Sequence, residues 1–154
     1  MHLLPRFLFT AAFCVVLWGC GSRPALHPIS GKISLDGKTY ERLIVYLRPL
    51  DVPIQPYNLG VGETDAAGNL ALRSTDGLGL PAGKYRVSFS CIVNAKSREL
   101  IGISDSKQDD DRRLVTEDIV PFPYSSDTES PFEFEVKSSG DNVLEFDIPA
   151  DANG

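Results

Sequence analysis

The stretch Lys84-Tyr85-Arg86-Val87-Ser88-Phe89-Ser90-Cys91-Ile92 alternates residue by residue, with Tyr85, Val87, Phe89 and Cys91 on one side and Lys84, Arg86, Ser88 and Ser90 on the other. A period of two belongs to a strand with one buried face. The pattern recurs. Residues 29–35 place Ile29, Gly31, Ile33 and Leu35 together, and residues 42–48 (Arg-Leu-Ile-Val-Tyr-Leu-Arg) are dense enough in β-branched and aromatic side chains for a central strand. Residues 59–64 and 69–74 read as a hairpin. Residues 132–136 turn Phe132, Phe134 and Val136 inward, and residues 143–148 do the same with Leu144, Phe146 and Ile148. Turn chemistry separates these runs. Asp36-Gly37 suits a two-residue turn with positive φ, and Asp65 can cap the turn that ends at Gly68. The chain carries 13 Gly and 11 Pro in 154 residues, too much punctuation for a helical bundle. The expected fold is all-β, an antiparallel seven-stranded β-sandwich. Residues 75–80 read as a Gly-rich loop and residues 93–130 as an irregular insertion, with a helical turn expected within 94–103.

The first residues have a different logic. Arg6 precedes eleven largely apolar residues, Phe7 to Leu17, in the layout of a secretory leader. As a helix that run rises about 16 Å, short of the ~30 Å hydrocarbon core. The following Leu17-Trp18-Gly19-Cys20 resembles a bacterial lipobox, with Trp18 where a small residue is usual. The resemblance implies that residues 1–19 are removed and that Cys20 becomes the lipidated first residue, with lipid chains as the membrane anchor. The absence of Asp after Cys20 implies, by the same resemblance, delivery to the outer membrane. Residues 20–28, with Pro24 and Pro28, then form a tether, residues 29–150 the domain, and residues 151–154 a tail. With Cys14 in the leader and Cys20 acylated, Cys91 stands alone, so no internal disulfide forms, and its alternation places it in the core.

Fifteen Lys and Arg against 21 Asp and Glu give a net charge of −6, which argues against binding nucleic-acid phosphate. Two histidines, His2 and His27, leave little for metal or triad chemistry, and no Gly-x-Ser-x-Gly elbow is present. Asp105, Asp109, Asp110 and Asp111 offer oxygen ligands. They lack calcium-loop spacing, and Lys107, Arg112 and Arg113 neutralise them, so the run reads as a solvated loop. Tyr46 and Tyr85 lie within strands; Tyr57 and Tyr124, in Pro-rich loops, are the better candidates for a ligand-stacking surface.

The segments 29–38 (Ile-Ser-Gly-Lys-Ile-Ser-Leu-Asp-Gly-Lys), 64–70 (Thr-Asp-Ala-Ala-Gly-Asn-Leu) and 80–87 (Leu-Pro-Ala-Gly-Lys-Tyr-Arg-Val), with 120–125 (Val-Pro-Phe-Pro-Tyr-Ser) before the penultimate strand, resemble small lipoproteins of planctomycete-type bacteria. Those carry a carboxypeptidase-regulatory-like, or transthyretin-like, β-sandwich. The chain departs from them in the acidic insertion at Asp109, Asp110 and Asp111 and in lacking a Lys before Tyr124. The expectation is a non-enzymatic, lipid-anchored cell-envelope protein with no cofactor. Its role would be structural or adhesive, toward envelope proteins or polysaccharide, with the 93–130 loop held away from the membrane. The alternative is a secreted or anchored module that binds carbohydrate or calcium through Tyr57, Tyr124 and the Asp109 to Asp111 loop.

Overall fold

A computed structural model describes residues 23–101 and 115–150. These form an all-β domain whose strands are β1 (Ile29–Leu35), β2 (Ile44–Pro49), β3 (Gly60–Thr64), β4 (Asn69–Ser74), β5 (Gly77–Leu78), β6 (Gly83–Ser90), β7 (Ile92–Asn94), β8 (Thr116–Asp118), β9 (Glu133–Val136) and β10 (Asn142–Ile148). All seven runs expected from the alternation are strands. The one helical element among the described residues is a 3-10 turn, Pro56–Asn58.

Eight strands belong to one sheet, in the order β10–β1–β4–β3–β2–β6–β9, with β5 pairing the last two residues of β4, Arg73 and Ser74. Neighbours are antiparallel except β1 and β10, which run parallel from Ile29 opposite Asn142 to Leu35 opposite Ile148. This corrects the purely antiparallel expectation. The Asp36-Gly37 turn forms, with φ of 52° and 70° and reciprocal bonds between Leu35 and Lys38. The chain then leaves β1 instead of returning along it, because both edges of β1 are taken by β4 and β10. Strands β9 and β10 are also not paired with each other. They are the two outer strands of the sheet, which curls until it is nearly a barrel.

Aromatic packing closes that seam. Phe132, just before β9, stacks on Phe146 of β10 at 4.0 Å between ring centroids, and Phe89 of β6 stacks on Phe146 at 5.6 Å. At one end of the seam the buried Asn142 bridges the loop that joins the two strands. Its Oδ1 accepts the Lys137 N–H at 2.8 Å and its Nδ2 donates to the Lys137 carbonyl at 3.2 Å. The interior is filled by the inward residues of the alternating runs, among them Ile33, Val45, Leu47, Leu72, Val87, Phe89, Leu144 and Ile148.

Two regions expected to be loops hold short strands. Within 75–80, β5 pairs with β4. The 93–130 insertion contains β8, which pairs with β7 as a two-stranded ribbon, and a single helical turn, with the Arg98 N–H donating to the Asn94 carbonyl at 2.8 Å, brings residues 94–101 back onto β7. Asp118 ties the ribbon to the sheet by accepting the Ser90 hydroxyl at 2.8 Å and the Cys91 and Val120 amides at 3.0 Å each. Residues 124–132 then run beside β6, where the Val87 and Phe89 amides donate to the Phe132 and Tyr124 carbonyls. Arg48 pairs with Asp127 and Arg86 donates to the Thr128 carbonyl, so this segment overlies the outer face. That cover buries Ser88, a residue expected on the wet face.

The strands have two ends that differ in what they carry. The entry end gathers residues 23–28, the loop after β2, the turns either side of β5 and the β9–β10 connection. The far end gathers the turns after β1 and β3 and the β7–β8 ribbon. The 93–130 insertion thus leaves from the end opposite the N-terminal entry.

Candidate functional site

Leu50, Pro53 and Pro56 take the chain out of β2 at the entry end. The excursion is held by Asn58, buried, whose Oδ1 accepts the Gln55 N–H at 2.8 Å while its Nδ2 donates to the Pro53 carbonyl at 3.0 Å. Opposite it lies the turn Pro81-Ala82-Gly83. Tyr85 pins this turn, its hydroxyl donating to the Pro81 carbonyl four residues upstream at 2.9 Å. A cleft of about 210 Å³ runs between them, walled by Pro24, Pro49, Val52, Tyr57 and Pro81, with Asp51 and Lys84 as its charged groups. Prolyl rings and a tyrosine make a surface suited to apolar or ring-stacking contacts.

The part of the tether that is described, residues 23–28, lies against the domain. Arg23 pairs with Asp76 at 2.9 Å, and His27 exchanges backbone hydrogen bonds with Leu80 at 2.8 and 3.1 Å. A second cavity of about 450 Å³ opens at the far end, between the residues after the Asp36-Gly37 turn and the ribbon. It is lined by Lys38, Tyr40, Arg98, Leu100 and Ile119 among others. Here Lys38 sits 4.7 Å over the Tyr40 ring and Arg98 pairs with Glu117.

The sequence candidates fall in different places. Cys20, Asp105, Asp109, Asp110 and Asp111 lie outside the described residues. Tyr57 is in the entry-end cleft. Tyr124 packs its ring on Phe146 at 5.8 Å as part of the aromatic seam. Its backbone bonds to Phe89, whereas the cleft borders Tyr85. Four residues of strand, roughly 13 Å, separate those two points, so Tyr57 and Tyr124 do not form one surface. Tyr46 faces outward, 39% exposed. Among the described residues, no three His, Cys, Asp or Glu side chains gather to hold a metal ion. The polar residues that sequence reasoning missed are Asn58, Asp118 and Asn142. Each is an Asx residue beside a turn, which is a signal for local bonding, but the partner of Asp118 is 27 or 28 positions away.

Cys91 is buried in the core, and burial, with Asp118 beside it, pushes its thiol up to about 11. Burial likewise pushes the Tyr85 phenol up to about 12, with Tyr57 adding to the shift. In both cases the folded state holds a proton that the unfolded chain has released, so the contribution of Cys91 is complete below pH about 9 and is lost toward 11, and that of Tyr85 is complete below about 10 and is lost toward 12. Urea midpoints measured across that window are expected to decline, and Cys91→Ala is expected to flatten the decline. At neutral pH the native thiol is expected to resist a disulfide reagent that modifies the urea-unfolded chain at once.

No family model, curated protein or solved structure matches this chain.

Proposed function

We propose that this is a lipid-anchored protein of the cell envelope, acylated at Cys20, whose β-domain is a non-catalytic structural or adhesive module for neighbouring envelope proteins or polysaccharide. The observation that carries the reading is Leu17-Trp18-Gly19-Cys20 at the end of an apolar run. Three features of the domain support it. Its one described cysteine is buried with a suppressed thiolate, His27 and Cys91 lie beyond opposite ends of β6, and Tyr85 closes the Pro-x-Gly-x-Tyr corner quoted in the resemblance. On this reading the curled sheet is a variant of the transthyretin-like sandwich, with the 93–130 insertion carried away from the bilayer.

The test is incorporation of labelled palmitate in a Gram-negative host. The full chain is expected to take up label and fractionate with membranes, and Cys20→Ser to lose both. Equal labelling of the two, or a wild-type chain in the cytosol with residues 1–19 still attached, overturns the reading. The entry-end cleft at Tyr57 favours a second reading, an envelope module that binds carbohydrate there. Saturable heat on titrating a glycan panel, lost in Tyr57→Ala, would establish it.

A further inference from the structure

Eight large hydrophobic side chains are exposed among the described residues, and their distribution is uneven. Val52 (54% exposed) and Ile54 (44%) crown the loop after β2, Leu59 precedes β3, Leu78 sits in β5 and Val143 opens β10. All five are at the entry end. Tyr46 is midway, and Val115 and Phe122 belong to the ribbon end. The charges around these five nearly cancel. Arg23, Arg73, Lys84 and Lys137 stand against Asp51, Asp76, Glu135 and Asp141, while the whole chain is at −6.

The same end receives the N-terminal segment, and there the reach of the chain becomes decisive. Arg23 is tied to Asp76, and Pro24 lines the cleft together with Val52. Only Gly21 and Ser22 separate Arg23 from Cys20. Three residue steps span at most about 11 Å even when fully extended. A lipid-bearing Cys20 therefore holds this end, and no other, within that distance of the acyl chains.

We infer that the entry end of the domain is a bilayer-docking face, on which Val52, Ile54 and Leu78 enter the lipid headgroup region and the rest of the barrel stands upright above it. This rests on acylation of Cys20. It goes beyond the anchor in assigning the domain a fixed orientation on the membrane, one that points the β7–β8 ribbon and Phe122 outward. A tethered domain gains from such contacts because the anchor makes the second binding event intramolecular.

The experiment uses the full chain, processed in a Gram-negative host and reconstituted into phosphatidylethanolamine–phosphatidylglycerol vesicles. Val52→Cys, Ile54→Cys, Leu78→Cys and Phe122→Cys are each given a nitroxide label; all four positions are exposed and Cys91 is buried. Accessibility to oxygen, which concentrates in lipid, is compared with accessibility to a water-soluble nickel chelate. Labels at 52, 54 and 78 are expected to favour oxygen, and the label at 122 the chelate. Chelate access at 52, 54 and 78 equal to that at 122, in a sample whose mass shows acyl chains on Cys20, overturns the docking face and leaves the anchor standing. Shielding of 52, 54 and 78 from both reagents marks a protein contact and also overturns it. A mass without acyl chains overturns the anchor, and the docking face with it.

Discussion

Gly31→Ala is expected to part β1 from β10 and to destabilise the domain by about 3 kcal/mol or more. A Cβ at residue 31 falls 1.9 Å from the Leu144 carbonyl oxygen and 2.8 Å from its carbon. Both are backbone atoms of the paired strand, so no side-chain rotation relieves the overlap. Ordinary overpacking costs about 1–3 kcal/mol, and an immovable obstacle puts this substitution at the upper limit or past it. Domains have about 5–15 kcal/mol of stability in total, so the loss is a large share. Urea unfolding followed by far-ultraviolet circular dichroism measures it. Ser30→Ala, one residue earlier and exposed, is the control and should shift stability by no more than about 0.5 kcal/mol. Indistinguishable midpoints for the two variants would mean that β1 and β10 do not approach as described.

Phe89→Ala is expected to cost about 3–5 kcal/mol. Phe89 is fully buried, and its ring lies 5.6 Å from Phe146 and 6.2 Å from Phe132. No hydrogen-bond ladder joins β9 to β10, so these rings are the main material of the seam. Removing one leaves a cavity and also withdraws support from the stack of Phe132 on Phe146. Phe122→Ala removes the same side chain from a position 62% exposed and should change little. A loss below about 1 kcal/mol for Phe89→Ala would show that the seam is held by something other than its aromatic rings.

The faces of the strands were legible in the sequence because alternation is a local property. Tyr85, Val87, Phe89 and Cys91 are buried as a set, and Asp65 caps its turn through the Ala67 and Asn69 amides. Strand neighbours were not legible, since alternation says which side a residue faces and nothing about which strand lies beside it. The Lys137 to Asn142 segment illustrates the difference. By composition it is a turn between two strands, and it carries the chain from one outer strand of the sheet to the other, where β10 finds β1. The short strands β7 and β8 escaped notice because three residues cannot establish a period, and their stability comes from Asp118 gripping Ser90 and Cys91. Tyr124, a surface candidate by its flanking prolines, is half-buried, and its packing on Phe146 is a long-range contact with no local mark. The proposed lipid site, by contrast, rests on sequence alone, because Leu17-Trp18-Gly19-Cys20 lies outside the described residues.

The pairing of β1 with β10 sets an order of events in the life of the polypeptide. The opening strand of the domain waits for Asn142–Ile148, the last strand among the described residues, before its second edge is satisfied. A growing chain therefore cannot complete this sheet before residue 148 has been added and released. Ring closure across more than a hundred positions is entropically slow. On the proposed reading, in which residues 1–19 act as a leader, this delay keeps the chain an open string fit for threading across a membrane, and leaves closure of the sheet to the compartment beyond.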